Sequence, residues 1–210
     1  MSLHDARGIW IKFDGVTRPQ DAVAAAELGV SAIGMIFAPS PRRLTREQAR
    51  AVREAIPEGV MAFGVFDDSS QREVGEVAEA LQLDGVQFPA PLVAGRFLPH
   101  GVAVLRTVRV READDLIELE RLECAAVHLD AYVEGKLGGT GVVAPWDLIA
   151  AHRPQVPFVL SGGLNPENVA EAVQRLSPAG VDVSSGIEAE PGIKDTEAMG
   201  AFVRAARGAQ

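Results

Sequence analysis

Apolar residues run through this chain as short unbroken stretches, each followed by a segment where they return at helical spacing. Ile9 to Phe13 is a β-prone run ending at Asp14-Gly15. Pro19 to Leu28 is an Ala-rich helix stopped by Gly29, and Ala32 to Phe37 is a compact apolar strand. Thr45 with Gln48 predicts a capping box opening a helix to about Ile56. Val60 to Phe66 reads as the third strand, and Ser69-Ser70 as the start of a helix to about Leu81. The fourth strand is Asp84 to Phe88. It is followed by Pro89 to Pro99, whose prolines leave room for only a short or broken helix. Val102 to Val108, a helix over Glu112 to Leu119, and Ala125 to Leu129 ending at Asp130 come next. After a Gly-rich loop, Ala131 to Val143, a helix starts near Trp146. The seventh strand, a helix from Pro166 to about Arg175, the eighth strand and a final helix capped by Asp195 and ending near Arg207 complete the chain.

Strands that are apolar throughout, rather than alternating, are covered on both faces, as in a parallel sheet wrapped by helices. Eight strands alternating with helices predict an α/β fold, a (β/α)8 TIM barrel, with a doubly wound open sheet as the alternative. At 210 residues the expectation is a single barrel domain spanning 1–210 with lean loops, and Met1 to Gly8 as a flexible lead-in without a signal-peptide core. A formal charge of −9 argues against nucleic acid or an anionic membrane as a partner, but leaves room for a small anionic ligand at a locally positive site. The single cysteine, Cys124, cannot form an intrachain disulfide, and no apolar segment is long enough to span a bilayer. The expected setting is the cytoplasm, and the expected assembly a monomer or homodimer.

The stretch Phe158 to Asn168 ends an apolar run in Gly162-Gly163, with Asn165 able to cap a helix and Pro166 suited to its first position. Val181 to Gly186 repeats the idea with Ser184-Ser185-Gly186. Bare backbone N–H groups at such turns bind phosphate, and the turns after strands 7 and 8 are where a barrel of this kind holds one. Singly, each is an ordinary glycine turn. As a spaced pair, Gly162, Gly163, Ser185 and Gly186 are candidate phosphate ligands.

Other candidates follow from the rule that functional groups sit at the C-terminal ends of barrel strands. Asp14 and Asp130 end strands 1 and 6 and can project into one mouth. A carboxylate pair suits proton shuttling, because mutual repulsion and burial separate the two pKa values. Either residue could instead cap a loop amide. Arg42, in a proline-stiffened loop, could grip a carboxylate through two donors. Arg106 and Arg109 are three apart, so at most one points inward. Asp67-Asp68-Ser69-Ser70 reads as helix capping. Gly138 to Gly141 reads as a mobile loop able to approach a ligand. His128 shares the face of Asp130 and reads as a packed interior histidine, and the four histidines carry no metal spacing.

Laid out this way, the chain resembles the phosphoribosylanthranilate isomerase family of tryptophan biosynthesis from about Ile11 to Arg207. The resemblance rests on Gly15 to Ala22, Ser40-Pro41-Arg42, Val65-Phe66, Leu129-Asp130, Gly138 to Gly141, Ser161 to Val169 and Val181 to Asp195. It implies an Amadori rearrangement of a phosphoribosylamine to a 1-deoxyribulose phosphate, with a phosphorylated sugar as substrate and no metal or organic cofactor. Carried over by position, Asp130 is the general acid that opens the ribose ring, Arg42 holds the anthranilate carboxylate, and Gly139 belongs to the substrate contact. Gly162, Gly163, Ser185 and Gly186 hold its phosphate.

The sequence also departs from the family. Lys12-Phe13-Asp14-Gly15 carries an aspartate where the family has its cysteine base, Phe88-Pro89-Ala90 replaces Leu-His-Gly, and Val142 stands where a lysine is usual. A carboxylate is ionised at neutral pH where a thiol must be activated. The similar barrel isomerase of histidine biosynthesis performs this rearrangement with two aspartates. Three readings stay open: the family reaction with Asp14 as base, a diverged isomerase acting on another N-substituted phosphoribosylamine, and a non-catalytic sugar-phosphate-binding barrel.

Overall fold

The computed structural model describes residues 3, 6–67, 71–89, 98–117, 119, 124–131 and 143–209. Eight strands, β1 (Trp10–Phe13), β2 (Ala32–Ile36), β3 (Met61–Val65), β4 (Gly85–Pro89), β5 (Ala103–Val110), β6 (Ala126–Ala131), β7 (Phe158–Leu160) and β8 (Gly180–Val183), pair in chain order. Strand β8 returns to β1 through Trp10↔Gly180 to Phe13↔Val183, so the sheet closes and every neighbour in it is parallel. The fold is a (β/α)8 barrel, not an open doubly wound sheet. Around it lie α1 (Pro19–Glu27), α2 (Arg46–Ala55), α3 (Gln71–Ala80), α4 (Asp114–Ile117), α5 (Trp146–Ala151), α6 (Val169–Leu176) and α7 (Thr196–Gly208). A short antiparallel hairpin, β9 (Glu188–Glu190) with β10 (Ile193–Lys194), is inserted between β8 and α7.

Local signals explain the starts of two helices. Thr45 Oγ1 accepts from Gln48 N at 3.2 Å while Thr45 N donates to Gln48 Oε1 at 2.9 Å, the reciprocal cap that starts α2. Asp195 Oδ1 accepts from Glu197 N and Ala198 N and starts α7. Where a helix is expected over Glu112 to Leu119, α4 forms, and Asp115 pins its approach by accepting from Arg111 N and Glu112 N; residue 118 lies outside the described residues. The one expected from Pro166 begins as a regular helix only at Val169. Asn165 does cap, but it caps a turn: its Oδ1 accepts from Glu167 N and Asn168 N, each at 3.0 Å. The helix expected within Pro89 to Pro99 falls mostly outside the described residues. In the lead-in, Leu3 packs against the cluster at the barrel floor.

Two cores result from strand parity. Ile11 and Phe13 face outward, where Phe13 meets Phe202 of α7 edge-on at 6.0 Å between centroids, inside the apolar shell shared by sheet and helices. The opposite parity fills the barrel in layers. The floor is apolar: Trp10, Ala32, Phe63, Leu105, Ala126 and Val159. Two residues further along, β1, β5 and β6 bring in Lys12, Thr107 and His128, which with Gln87 of β4 and Asp182 of β8 make a polar layer, whereas β2 and β3 carry Gly34 and Val65 there. Asp14, Arg109, Asp130, Ser161 and Ser184 stand at the mouth. The barrel thus has a dry base and a charged upper half, and polarity is concentrated where the strands end.

Candidate active site

A cavity of about 620 Å³ opens at the C-terminal ends of the strands, within the size range of small-molecule sites. Asp14 from β1 and Asp130 from β6 both line it. Arg42 from the β2–α2 loop lines it too, as do Ser161 and Ser184, the residues that lead into the two glycine turns. Parity is resolved for the arginines. Arg109 faces the cavity, opposite Asp130 in the β5–β6 register, whereas Arg106 points outward with its guanidinium 5.0 Å from the Phe88 ring. His128 lines the cavity two residues before Asp130, on the face that its spacing predicts.

The two acids sit in different surroundings. Asp14 pairs with the ammonium of Lys12, which also donates to Gln87 Oε1 at 2.8 Å and Asp182 Oδ1 at 3.1 Å. Asp182 in turn meets His128 Nε2 at 2.8 Å through Oδ2, and the other ring nitrogen of His128 lies 3.3 Å from Thr107 Oγ1. Burial and the neighbouring Asp182 charge push Asp14 up to about 6, against the opposing pull of Lys12. Burial acts on Asp182 in the same direction, but Lys12 and His128 together outweigh it and hold that carboxyl below its ordinary value. Asp130 is also raised, chiefly by burial. His128 and the Ala131 N–H, which donates to Asp130 Oδ1 at 2.8 Å, hold it back only in part. The polar layer therefore separates three carboxyls into one firmly ionised, Asp182, and two with raised values at the mouth.

The two glycine turns are pressed against each other. A side chain on Gly186, in the short 3-10 turn Ser185–Ile187, would overlap the carbonyl oxygen of Leu164 in the turn after β7. Gly162 and Gly163 adopt φ values of 86° and 64°, the left-handed region that glycine enters without penalty. A Cβ on Gly162 would lie 2.7 Å from Ala131 N and 3.0 Å from Asp130 Oδ1, so this turn packs directly on the acid at the end of β6. Asn168 Nδ2 donates to Gly163 O at 3.0 Å and fixes the turn from behind. The first N–H groups of a 3-10 turn have no acceptor within it, which leaves Ser185 and Gly186 suited to an anion.

Arg42 shows the two-pronged grip its sequence position suggests, on a carboxylate of this chain: Nε to Glu188 Oε1 at 2.8 Å and Nη2 to Glu188 Oε2 at 2.6 Å. Asp67, read from sequence as part of a helix cap, lines the cavity, and residues 68–70 of that stretch lie outside the described residues. Gly139 also lies outside them. Lys12, Gln87, Asp182, Glu188 and Lys194 were not anticipated. The first three stand two residues from an inward-facing partner or at the same layer, a period-2 signal already present in the strands. The last two reach the site through the β9–β10 hairpin, which left no comparable trace.

A closed barrel whose mouth gathers two buried acids beside a paired glycine turn is the arrangement suited to acid–base chemistry on a small anionic ligand. Residues 11–205 match the family described as N-(5′-phosphoribosyl)anthranilate (PRA) isomerase. An N-(5′-phosphoribosyl)anthranilate isomerase of Azotobacter vinelandii is 43% identical over 201 residues, covering 94% of this chain and 97% of that protein. One from Rubrobacter xylanophilus is 42% identical over 202 residues, covering 94% and 98%. The structure of phosphoribosyl anthranilate isomerase from Thermotoga maritima superposes with a TM-score of 0.86 at 35% identity, covering 95% of this chain and 99% of that one. A phosphoribosyl anthranilate isomerase in complex with reduced 1-(o-carboxyphenylamino)-1-deoxyribulose 5-phosphate gives a TM-score of 0.82 at 33% identity, with the same coverage. The chain belongs to the phosphoribosylanthranilate isomerase family and is an isomerase.

Proposed function

We propose that this isomerase converts N-(5′-phosphoribosyl)anthranilate to 1-(o-carboxyphenylamino)-1-deoxyribulose 5-phosphate, a step of tryptophan biosynthesis, with Asp130 as general acid and Asp14 as general base. The observation that carries the assignment is the entry of both raised carboxyls into one cavity, beside the paired glycine turns. Protonated Asp130 donates to the ribose ring oxygen as the C1′–O bond breaks and the amine nitrogen forms an iminium. Asp14, ionised and held by Lys12, takes the C2′ proton, and the resulting enolamine tautomerises to the ketone. Protons are redistributed and no electrons leave the substrate, so the reaction calls for neither metal nor organic cofactor. At the end Asp14 carries a proton and Asp130 lacks one, and exchange with solvent through the open mouth resets the pair.

In this reading Gly162, Gly163, Ser185 and Gly186 bind the 5′-phosphate through main-chain N–H groups. Arg42 faces the anthranilate carboxylate, and Gly139 completes the substrate contact. The protein acts as a single-domain cytoplasmic enzyme, a monomer or homodimer without nucleic acid. Among the described residues no helix is long and apolar enough to cross a membrane. Expression in a tryptophan auxotroph lacking this isomerase tests the reading. Growth without tryptophan, with conversion of phosphoribosylanthranilate by the purified protein, supports it, and failure of both refutes it. Pro89, at the cavity wall where the family carries another residue, favours a second reading in which the aglycone differs. A panel of N-substituted phosphoribosylamines separates the two.

A further inference from the structure

Outside the acid–base pair lies a second buried ionic cluster. Glu188 and Lys194, on the two strands of the β9–β10 hairpin, approach to 2.9 Å between Oε1 and Nζ, with side chains no more than 4% exposed. Glu188 also receives both prongs of Arg42. The other two donors of the Lys194 ammonium go to the main-chain oxygens of Asp14 at 2.6 Å and Ser184 at 2.9 Å. An ammonium has three protons, so Lys194 is fully used. Its partners are the end of the base strand, the approach to the strand-8 turn, and the carboxylate that holds Arg42.

Burying such a cluster is costly, and well-packed apolar residues would tie down a hairpin at least as well. Hairpin stability alone therefore does not account for the choice of residues. Two cations and one carboxylate leave a net positive charge beside the cavity. A guanidinium held side-on through Nε and Nη2 keeps its Nη1–Nη2 edge for a second planar fork. An arginine already held in place also loses less side-chain freedom when a ligand arrives.

We propose that Glu188, with Lys194 as its counter-ion, is a positioning residue that pre-orients Arg42 for the aromatic carboxylate of the substrate, and so sets the preference of the cavity for a carboxylated aglycone. This rests on the assignment of Arg42 made above. The test uses reduced 1-(o-carboxyphenylamino)-1-deoxyribulose 5-phosphate and its phenylamino counterpart lacking the carboxylate, with Kd measured by calorimetry for the wild type, Glu188→Gln and Arg42→Gln. Glutamine keeps the volume of Glu188 but cannot offer two anionic oxygens. Glu188→Gln should cut the preference for the carboxylated ligand by about tenfold, the scale of one charge-assisted hydrogen bond, and leave the phenylamino ligand unaffected. In turnover, KM should rise with kcat held. An unchanged preference, or equal weakening of both ligands, overturns the inference. If Arg42→Gln removes the preference and Glu188→Gln does not, the inference alone falls. If Arg42→Gln leaves the preference intact, the assignment of Arg42 falls and takes the inference with it. Should Glu188→Gln not fold, Glu188→Asp keeps the charge, withdraws the fork by one methylene, and must produce the same selective loss.

Discussion

The carboxylate of Asp14 occupies the space that a side chain at position 34 would need: a Cβ on Gly34 would overlap Asp14 Oδ1 and come within 3.3 Å of Lys12 Cε. Gly34 is on β2, beside β1, and its missing side chain lets the Asp14–Lys12 pair lie across the barrel wall. Gly34→Ala is therefore a steric test of where the base must sit. We expect turnover to fall by about 10²-fold or more, because displacement of a catalytic group by about 1 Å has that effect. The crowding should cost about 1–3 kcal/mol of stability. Steady-state kinetics with urea denaturation checks both, and an alanine variant of wild-type kcat/KM would show that this position of the carboxylate is not needed.

Asp14→Asn preserves shape and removes the proton acceptor. Turnover should drop by about 10²–10⁴-fold, the usual contribution of a general base. Affinity for ribulose 5-phosphate, which depends on the glycine turns, should not change. Comparing single-turnover rates with ligand titration separates the two effects, and retained turnover would remove Asp14 from the reaction.

The acid limb of the pH–rate profile should report Asp14. The base works ionised, and its pKa is raised to about 6, so kcat/KM should decline as the pH falls through that value. Asp182 contributes to the raised value by repelling the Asp14 anion, and it also shares Lys12. Asp182→Asn removes the repulsion and frees Lys12 for Asp14. Both changes lower the pKa, so the limb should move to lower pH. A limb that stays in place or moves up would contradict the electrostatic account.

The phosphate site should be sensitive to single methyl groups. In Gly186→Ala the new Cβ must push the strand-8 turn away from Leu164, and affinity for inorganic phosphate and sugar phosphates should weaken by about tenfold or more. In Gly162→Ala the left-handed backbone adds a penalty of about 1–2 kcal/mol, and the methyl also crowds Asp130. This variant should lose turnover as well as affinity. Phosphate titration alongside kinetics distinguishes a turn that holds an anion from one that only reverses the chain.

Sequence reading carried the architecture further than the chemistry. The capping box at Thr45, the inward parity of His128 and Asp130, and the glycines at 162 and 186 are local facts, each fixed by residues close together in the chain. The use of Asp115 to hold the entry to α4 was not visible, because it depends on which backbone N–H groups the side chain meets. The true start of α6 was not visible either, since Asn165-Pro166 suits a capped turn and a capped helix equally.

What the sequence determined by itself was periodicity: unbroken apolar strands, helices between them, and chemistry at the strand ends, because side-chain alternation and turn geometry are properties of neighbouring residues. What only the tertiary structure decided was partnership. Lys12 meets Asp182 across 170 positions, and Lys194 Nζ reaches the Asp14 carbonyl across 180, because closing the barrel sets β1 against β8. The charge state of a buried carboxyl depends on such neighbours and on the loss of water around it, and both arise when the ring of strands is complete.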